Sequence, residues 1–262
     1  PNDPLNSDLQ IAPPTFDVSY IGFNVTEPPF DDPKVRQALS HAINKKLIAD
    51  QIFSDLVVPA YGILPPGFPG YTDKIQGLKY DPERAKNLLA ESKYGDAGNI
   101  PRILITVPGT GGSAGLDLEA IVQMWSETLG ITVEFAQTDW ATYLDDLHKK
   151  KFQVFAGIGW QADYPDPENF LDVLFHSKST NNNNLYNNPE VDRLLEQARV
   201  MKDVGARMAL YQKIEGMIVK DAPWIPLWYR GERVVLIKPY VKGYILSPLI
   251  IPKYRYVYIE NR

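Results

Sequence analysis

The sequence predicts an α/β fold in which a mostly parallel sheet is flanked by helices. Three observations carry that reading. A strand–helix–strand–helix–strand run fills the middle of the chain, over residues 103–159. Four Asp-Pro or Asn-Pro steps mark helix starts. Strand-like segments with no helical period bracket this body at both ends. Successive β-α-β units cross over right-handedly, which makes their strands parallel neighbours.

The elements follow in order. The head, residues 17–25, alternates like a strand. Asp32-Pro33, Asp81-Pro82, Asp166-Pro167 and Asn188-Pro189 each precede an apolar-periodic run. An Asp or Asn at N-cap accepts an orphan backbone N–H, and proline at N1 has its φ already set. Behind the first step, Val35, Ala38, Leu39, Ala42 and Ile43 recur at helical spacing. A short second helix carries Leu47, Ile48 and Ile52, and Ala85, Leu88 and Leu89 make the next stripe. In the middle run, residues 103–107 form a strand, Leu118, Ile121, Trp125 and Leu129 a helix stripe, and Gly130 the helix stop. Residues 131–135 form the second strand, Asp139 caps a helix bearing Tyr143 and Leu147, and residues 152–159 form the third strand. Two helices follow, with a break near Asp203–Gly205. The tail reads as short strands at 224–229, 234–237, 244–246 and 254–259. Strand alternation sends Trp224 and Trp228 to one face and Tyr229 to the other.

Composition narrows the function. The chain has 262 residues, 22 prolines, no cysteine and a net charge of −5. The mild acidity argues against nucleic-acid binding, which needs a basic footprint. No apolar run reaches the ~18 residues of a membrane span. The absence of cysteine removes thiolate chemistry and cysteine-bound metals. His41, His148 and His176 are scattered, and no His-x-x-x-His spacing exists, so no metal site and no cofactor are expected. Residues 1–4 begin with Pro rather than Met, so a chain processed or cut from something longer is expected.

Two constellations carry chemistry. Gly109-Thr-Gly-Gly-Ser-Ala114 fits the G-x-G-x-x-G/A pattern between a strand and a helix, with Glu134 further on, as a dinucleotide site would require. A plain flexible turn is the other reading, and Pro108 weakens the match. The second is Gly159-Trp160-Gln161-Ala162-Asp163-Tyr164-Pro165-Asp166-Pro167, at the carboxyl end of the third strand, where open α/β sheets bind ligands. Trp160 offers an apolar wall and Asp163 a negative charge, which together suit an amine beside an apolar group. A proline-stiffened turn is the alternative, and Asp166 is assigned to capping. In the tail, one of Trp228, Tyr229 or Arg230 is expected to face a cleft.

These segments resemble the solute-binding proteins of oligopeptide and dipeptide ABC transporters (solute-binding protein family 5). The likeness runs through Tyr20-Ile-Gly-Phe-Asn24, residues 29–44, Tyr80–Lys86, the Trp160 to Pro167 segment and Lys238-Pro-Tyr-Val-Lys-Gly-Tyr244. It corresponds to the C-terminal half of such a protein. The resemblance implies a two-lobe, type II-like periplasmic-binding-protein fold. Residues 1–25 would end the N-terminal lobe and form the first hinge strand. Residues 26–228 would be the C-terminal ligand-binding lobe, and 229–262 the second hinge with β-rich return strands. It implies a peptide or small-molecule ligand held by Trp160, Gln161, Ala162, Asp163, Trp228, Tyr229 and Arg230, with Asp163 meeting the peptide amine. It further implies a permease as partner, an extracytoplasmic location, no catalysis, and upstream an N-terminal lobe and a lipid-anchored cysteine. Gly157 and Ile158 are neutral where some peptide binders carry a basic residue, so ligands such as oligosaccharides, opines or metal chelates remain alternatives.

Overall fold

The computed structural model describes residues 8–249, 251 and 253–260. The start at residues 1–4 lies outside them. The chain runs β1 (Leu9–Ala12), β2 (Asp17–Phe23), α1 (Pro33–His41), α2 (Lys45–Ile52), β3 (Val57–Pro59) and α3 (Pro82–Ala90). The middle run follows as β4 (Ile103–Pro108), α4 (Leu116–Leu129), β5 (Val133–Thr138), α5 (Trp140–His148) and β6 (Val154–Gln161). Then come α6 (Glu168–Phe175), α7 (Pro189–Val200), α8 (Val204–Asp221), β7 (Trp224–Arg230), β8 (Arg233–Leu236), β9 (Val241–Lys242) and β10 (Tyr258–Ile259).

The proline steps work as local chemistry predicts. Asp32 accepts from the Lys34 N–H at 2.8 Å, Asp81 from Arg84 at 2.9 Å and Asn188 from Glu190 at 3.1 Å, each with proline in the first turn. Asp166 accepts from the Glu168 N–H at 3.0 Å, and α6 begins one residue later than the others do relative to their proline. Gly130 closes α4 in the left-handed region at φ 72°.

Six strands form the main sheet in the order β3-β7-β2-β6-β4-β5. The β-α-β-α-β run supplies its parallel part, β5 beside β4 beside β6. The strands from the chain's two ends, β2 and β7, together with β3, add antiparallel neighbours, so the sheet as a whole is mixed. Helices cover both faces. On one, α1 to α4 pack Val35, Leu39, Leu88 and Trp125 against Ile21, Phe23 and Ile105. On the other, α5 to α8 pack Tyr143, Leu174, Leu195 and Ile214 against Tyr20, Phe155 and Trp224. Burial of these side chains contributes roughly 1.5–3 kcal/mol each and holds the sheet rigid.

Two expectations about the tail are corrected. Trp224 and Trp228 do not share a face. Ser19 pairs with Trp228 and Tyr20 with Pro226, which leaves Leu227 as an extra residue. That β-bulge resets the alternation, so Trp224 joins Tyr20 on the α5–α8 face while Trp228 joins Phe53 on the other. Residues 244–246 form no strand, and Tyr254–Tyr256 is a 3-10 turn. The end segments instead pair in two small ladders outside the main sheet, β1 with β8 and β9 with β10.

Candidate functional site

A cleft of about 740 Å³ lies along the edge where β4, β5, β6 and β7 end, with the starts of β2 and β3 beside them. The strand pairing explains the opening. β4 and β6 bond only through Ile105↔Val154 and Thr106↔Phe155, and the ladder stops where Gly157 takes a left-handed φ of 72°. Beyond it, a Cβ on residue 159 would stand 2.8 Å from the Val18 carbonyl oxygen, so glycine keeps β6 seated flat on β2. Gly157 and Gly159 therefore add stretches without side chains to the cleft lining, beside residues from the strand ends and from the first turns of α4 and α5.

Five of the seven expected site residues line this cleft: Trp160, Gln161, Asp163, Trp228 and Arg230. The other two do not. Ala162 is fully buried, and its N–H donates to the Phe16 carbonyl at 2.8 Å. Tyr229 is 5 % exposed on the opposite face, where its hydroxyl donates to the Gly62 carbonyl at 2.7 Å and accepts from the Gly62 N–H at 3.1 Å. Strand alternation separates it from Trp228 and Arg230, and burial pushes its phenol well above the ordinary range.

Asp163 is exposed at the cleft and makes no ion pair among the described residues. Its holder is Asn169, 1 % exposed in α6. The Asn169 amide oxygen accepts from the Asp163 N–H at 3.1 Å and from the Trp160 indole N–H at 3.3 Å, and its NH₂ donates to Asp163 Oδ2 at 3.3 Å. One buried amide thus fixes the acid and the aromatic wall together. The sequence signal for Asn169 is weak: it is a polar residue just ahead of the apolar run Phe170, Leu171, Leu174 and Phe175, and nothing local says which neighbours it holds. Asp166, by contrast, is consumed: it caps α6 and forms a two-pronged pair with Arg207 at 2.7 and 2.9 Å.

Arg230 faces Asp17, which lies on the neighbouring strand. The guanidinium Nε is 3.4 Å from Asp17 Oδ2, and the Arg230 N–H donates to Asp17 Oδ1 at 3.3 Å. Asp17, Asp117, Phe53 and Trp140 also line the cleft and were not singled out from sequence. Their positions depend on the strand order, which no local pattern encodes.

The dinucleotide reading of Gly109–Ala114 fails on geometry. The Gln137 side chain fills the loop, accepting from the Gly111 N–H at 2.8 Å and donating to the Gly112 and Ser113 carbonyls at 3.2 Å. Asp117 and Glu119 place two carboxylates in the first turn of α4, where a pyrophosphate would have to sit. Glu134 lies at the other end of the sheet, paired with Arg102. None of the three histidines lines the cleft, and no group of three or more His, Cys, Asp or Glu among the described residues is placed to hold a metal.

The model of the bacterial extracellular solute-binding proteins, family 5 Middle, matches residues 2–182. Heme-binding protein A of Haemophilus influenzae is 36% identical over 239 residues, 88% of this chain and 42% of its own length. The periplasmic murein peptide-binding protein MppA of Escherichia coli is 31% identical, over 95% of this chain and 46% of its own length. The periplasmic binding protein DppA of Helicobacter pylori, solved in complex with the peptide STSA, superimposes with a TM-score of 0.85 at 27% identity, over 97% of this chain and 49% of that one. The chain spans about half, or less, of the length of these relatives.

Proposed function

The chain belongs to the bacterial extracellular solute-binding proteins of family 5, a family of binders rather than enzymes, and from that membership we propose that it forms one half of a peptide-binding cleft that serves an ABC importer. The observation that carries this reading is Asp163. It is a carboxylate with no cation among the described residues, held by a buried amide beside Trp160, at the strand-end cleft where a ligand would enter. An acid so placed takes the ammonium of a peptide N-terminus, and Trp160 takes the adjoining apolar surface. The acid also works against a ligand whose charges are all negative.

The second half of the cleft would come from another lobe of the full-length protein. The β1–β8 ladder supports this. It stands outside the main sheet and pairs Leu9 with Leu236 and Ile11 with Val234, four apolar residues that are 42–70% exposed. Such a contiguous apolar face is what a covering partner surface requires. Because β2 and β7 are central strands of the main sheet, the crossings between lobes would fall ahead of residue 17 and after residue 230. Capture proceeds by lobe closure, in which ligand stabilises the closed form through contacts to both lobes. Backbone groups grip the peptide, which tolerates varied side chains. The closed form is then presented to membrane permease subunits on the outer face of the cell membrane.

Asp163→Asn in the full-length protein tests the assignment by calorimetric titration with an unblocked tripeptide. Loss of a charge partner enclosed on closure costs about 3 kcal/mol, on the order of a hundredfold in Kd. An unchanged Kd would remove Asp163 from the site.

A further inference from the structure

The charges on this half of the cleft do not cancel. Among the described residues its lining holds three carboxylates, Asp17, Asp117 and Asp163, and one cation, Arg230, which is paired with Asp17. Asp163 is accounted for by the ligand amine in the reading above. Asp117 is left over. At a helix start an acid ordinarily serves as a cap, as Asp32, Asp81, Asp139 and Asp203 do here. Asp117 does not: α4 has no side-chain cap, and the cap position is Gly115. A Cβ on residue 115 would stand 2.9 Å from Asp117 Oδ1, so the glycine leaves room for the carboxylate to lie over it. Among the described residues the other oxygen, Oδ2, receives only the Trp228 indole N–H at a long 3.4 Å. Trp228 in turn packs against Phe53, ring centroids 5.4 Å apart, and both rings line the cleft beside Asp117, as does Trp140 from the first turn of α5.

A carboxylate that meets the indole edge of Trp228, with the rings of Phe53 and Trp140 in the same lining, suits an organic cation, through charge pairing with the acid and cation–π contact with a neighbouring ring. We propose that Asp117, with Phe53 and Trp228, forms a second cation subsite, and that the ligands are peptides carrying a lysine- or arginine-like side chain as well as a free amino terminus. This rests on the peptide reading above. The two acids serve different groups because they belong to different levels of the sheet. Trp228, beside Asp117, stands level with Ser19, and Ser19 pairs with Gly159; Asp17 pairs with Gln161, and Asp163 lies beyond that. Two residues of strand alone separate the levels by about 7 Å.

The test uses two unblocked tripeptides, Ala-Lys-Ala and Ala-norleucine-Ala, which differ only in the ammonium. Each is titrated into the full-length protein and into its Asp117→Asn variant, whose fold is checked by circular dichroism and melting temperature. The lysine peptide should bind roughly tenfold more tightly to the unaltered protein, a step of about 1.4 kcal/mol, and Asp117→Asn should bring the ratio of the two Kd values to about one. Equal binding of both peptides to the unaltered protein, or a ratio that survives in the variant, overturns the subsite and leaves the peptide reading standing. Binding of neither peptide overturns both.

Discussion

Single residues decide what the cleft contains, and neighbours in sequence part company there. Asp163 and Asp166 are three residues apart in one proline-rich loop, yet one faces the cleft with no cation among the described residues and the other is spent on α6 and Arg207. The Asp-Pro step made the role of Asp166 legible, because capping is local chemistry. The role of Asp163 was legible only as a choice between site and turn, since its partner Asn169 comes from the following helix. Tyr229 teaches the opposite lesson. It sits between Trp228 and Arg230, both cleft residues, but the pleat turns it to the other face, where it holds Gly62 by two hydrogen bonds. Removing its hydroxyl should therefore affect stability and not ligand affinity. Tyr229→Phe should lower unfolding free energy by about 1 kcal/mol in a denaturant melt, with the peptide Kd unchanged. A weakened Kd at unchanged stability would return Tyr229 to the site.

At the scale of elements, starts were easier to read than neighbours. Caps, proline at N1 and helical periodicity act within a few residues, and they placed α1, α3, α7 and the β4-to-β6 run well. The three-residue β3 and four-residue β1 are too short to carry an alternation signal, and the bulge at Leu227 exists only because β7 must pair with β2. The strap that joins β3 to the rest shows how such pieces are fixed. Residues 60–64 are stitched from three sides: the buried Lys45 ammonium donates to the Ala60 and Pro226 carbonyls at 2.9 and 2.5 Å, Tyr229 holds Gly62, and Glu215 Oε1 accepts from the Ile63 and Leu64 N–H groups at 2.6 and 2.9 Å. Tyr61 lies against Lys45, its ring centroid 5.1 Å from the ammonium.

Burial moves Lys45 and Glu215, the two groups around this strap that titrate near neutral pH, toward their uncharged forms. It pushes Lys45 down to about 7, and it pushes Glu215 up to about 7 in spite of the two backbone donors. The two shifts act on stability in opposite directions. Between about pH 4.5 and 7 the folded chain holds a proton on Glu215 that the unfolded chain has lost, so this group's contribution falls as pH rises. Between about pH 7 and 10.5 the unfolded chain keeps a proton on Lys45 that the folded chain has lost, so the Lys45 contribution rises with pH. Together they contribute a stability minimum near neutral pH. Melting temperatures over this range should show it as a difference: Glu215→Gln flattens the acid side relative to the unaltered chain, and Lys45→Met flattens the alkaline side. A difference from either variant that does not vary with pH would contradict the assignment.

The whole molecule was legible in class and less so in arrangement. Alternating strands and helices announced an α/β body, and they placed β4, β5 and β6 side by side in parallel. Antiparallel pairing of β2 with β7 joins segments some 200 residues apart, and no local pattern encodes that. Yet this pairing sets Asp17, Trp228 and Arg230 beside the carboxyl end of β6, and so it builds half of the cleft wall. Cleft residues on the β6 loop were therefore visible from sequence, whereas Asp117, Trp140 and Phe53, brought in by strand order, were not. The same dependence accounts for the exposed apolar ladder of β1 and β8, which a second lobe would cover.

The central claim is that the cleft takes a peptide by its free amino terminus at Asp163. The most direct measurement is calorimetric titration of the full-length protein with one tripeptide in two forms, unblocked and N-acetylated. Acetylation removes the ammonium and leaves the backbone and side chains unchanged. The unblocked peptide should bind saturably, and the acetylated one with an affinity lower by on the order of a hundredfold. Equal affinity for the two forms would contradict it.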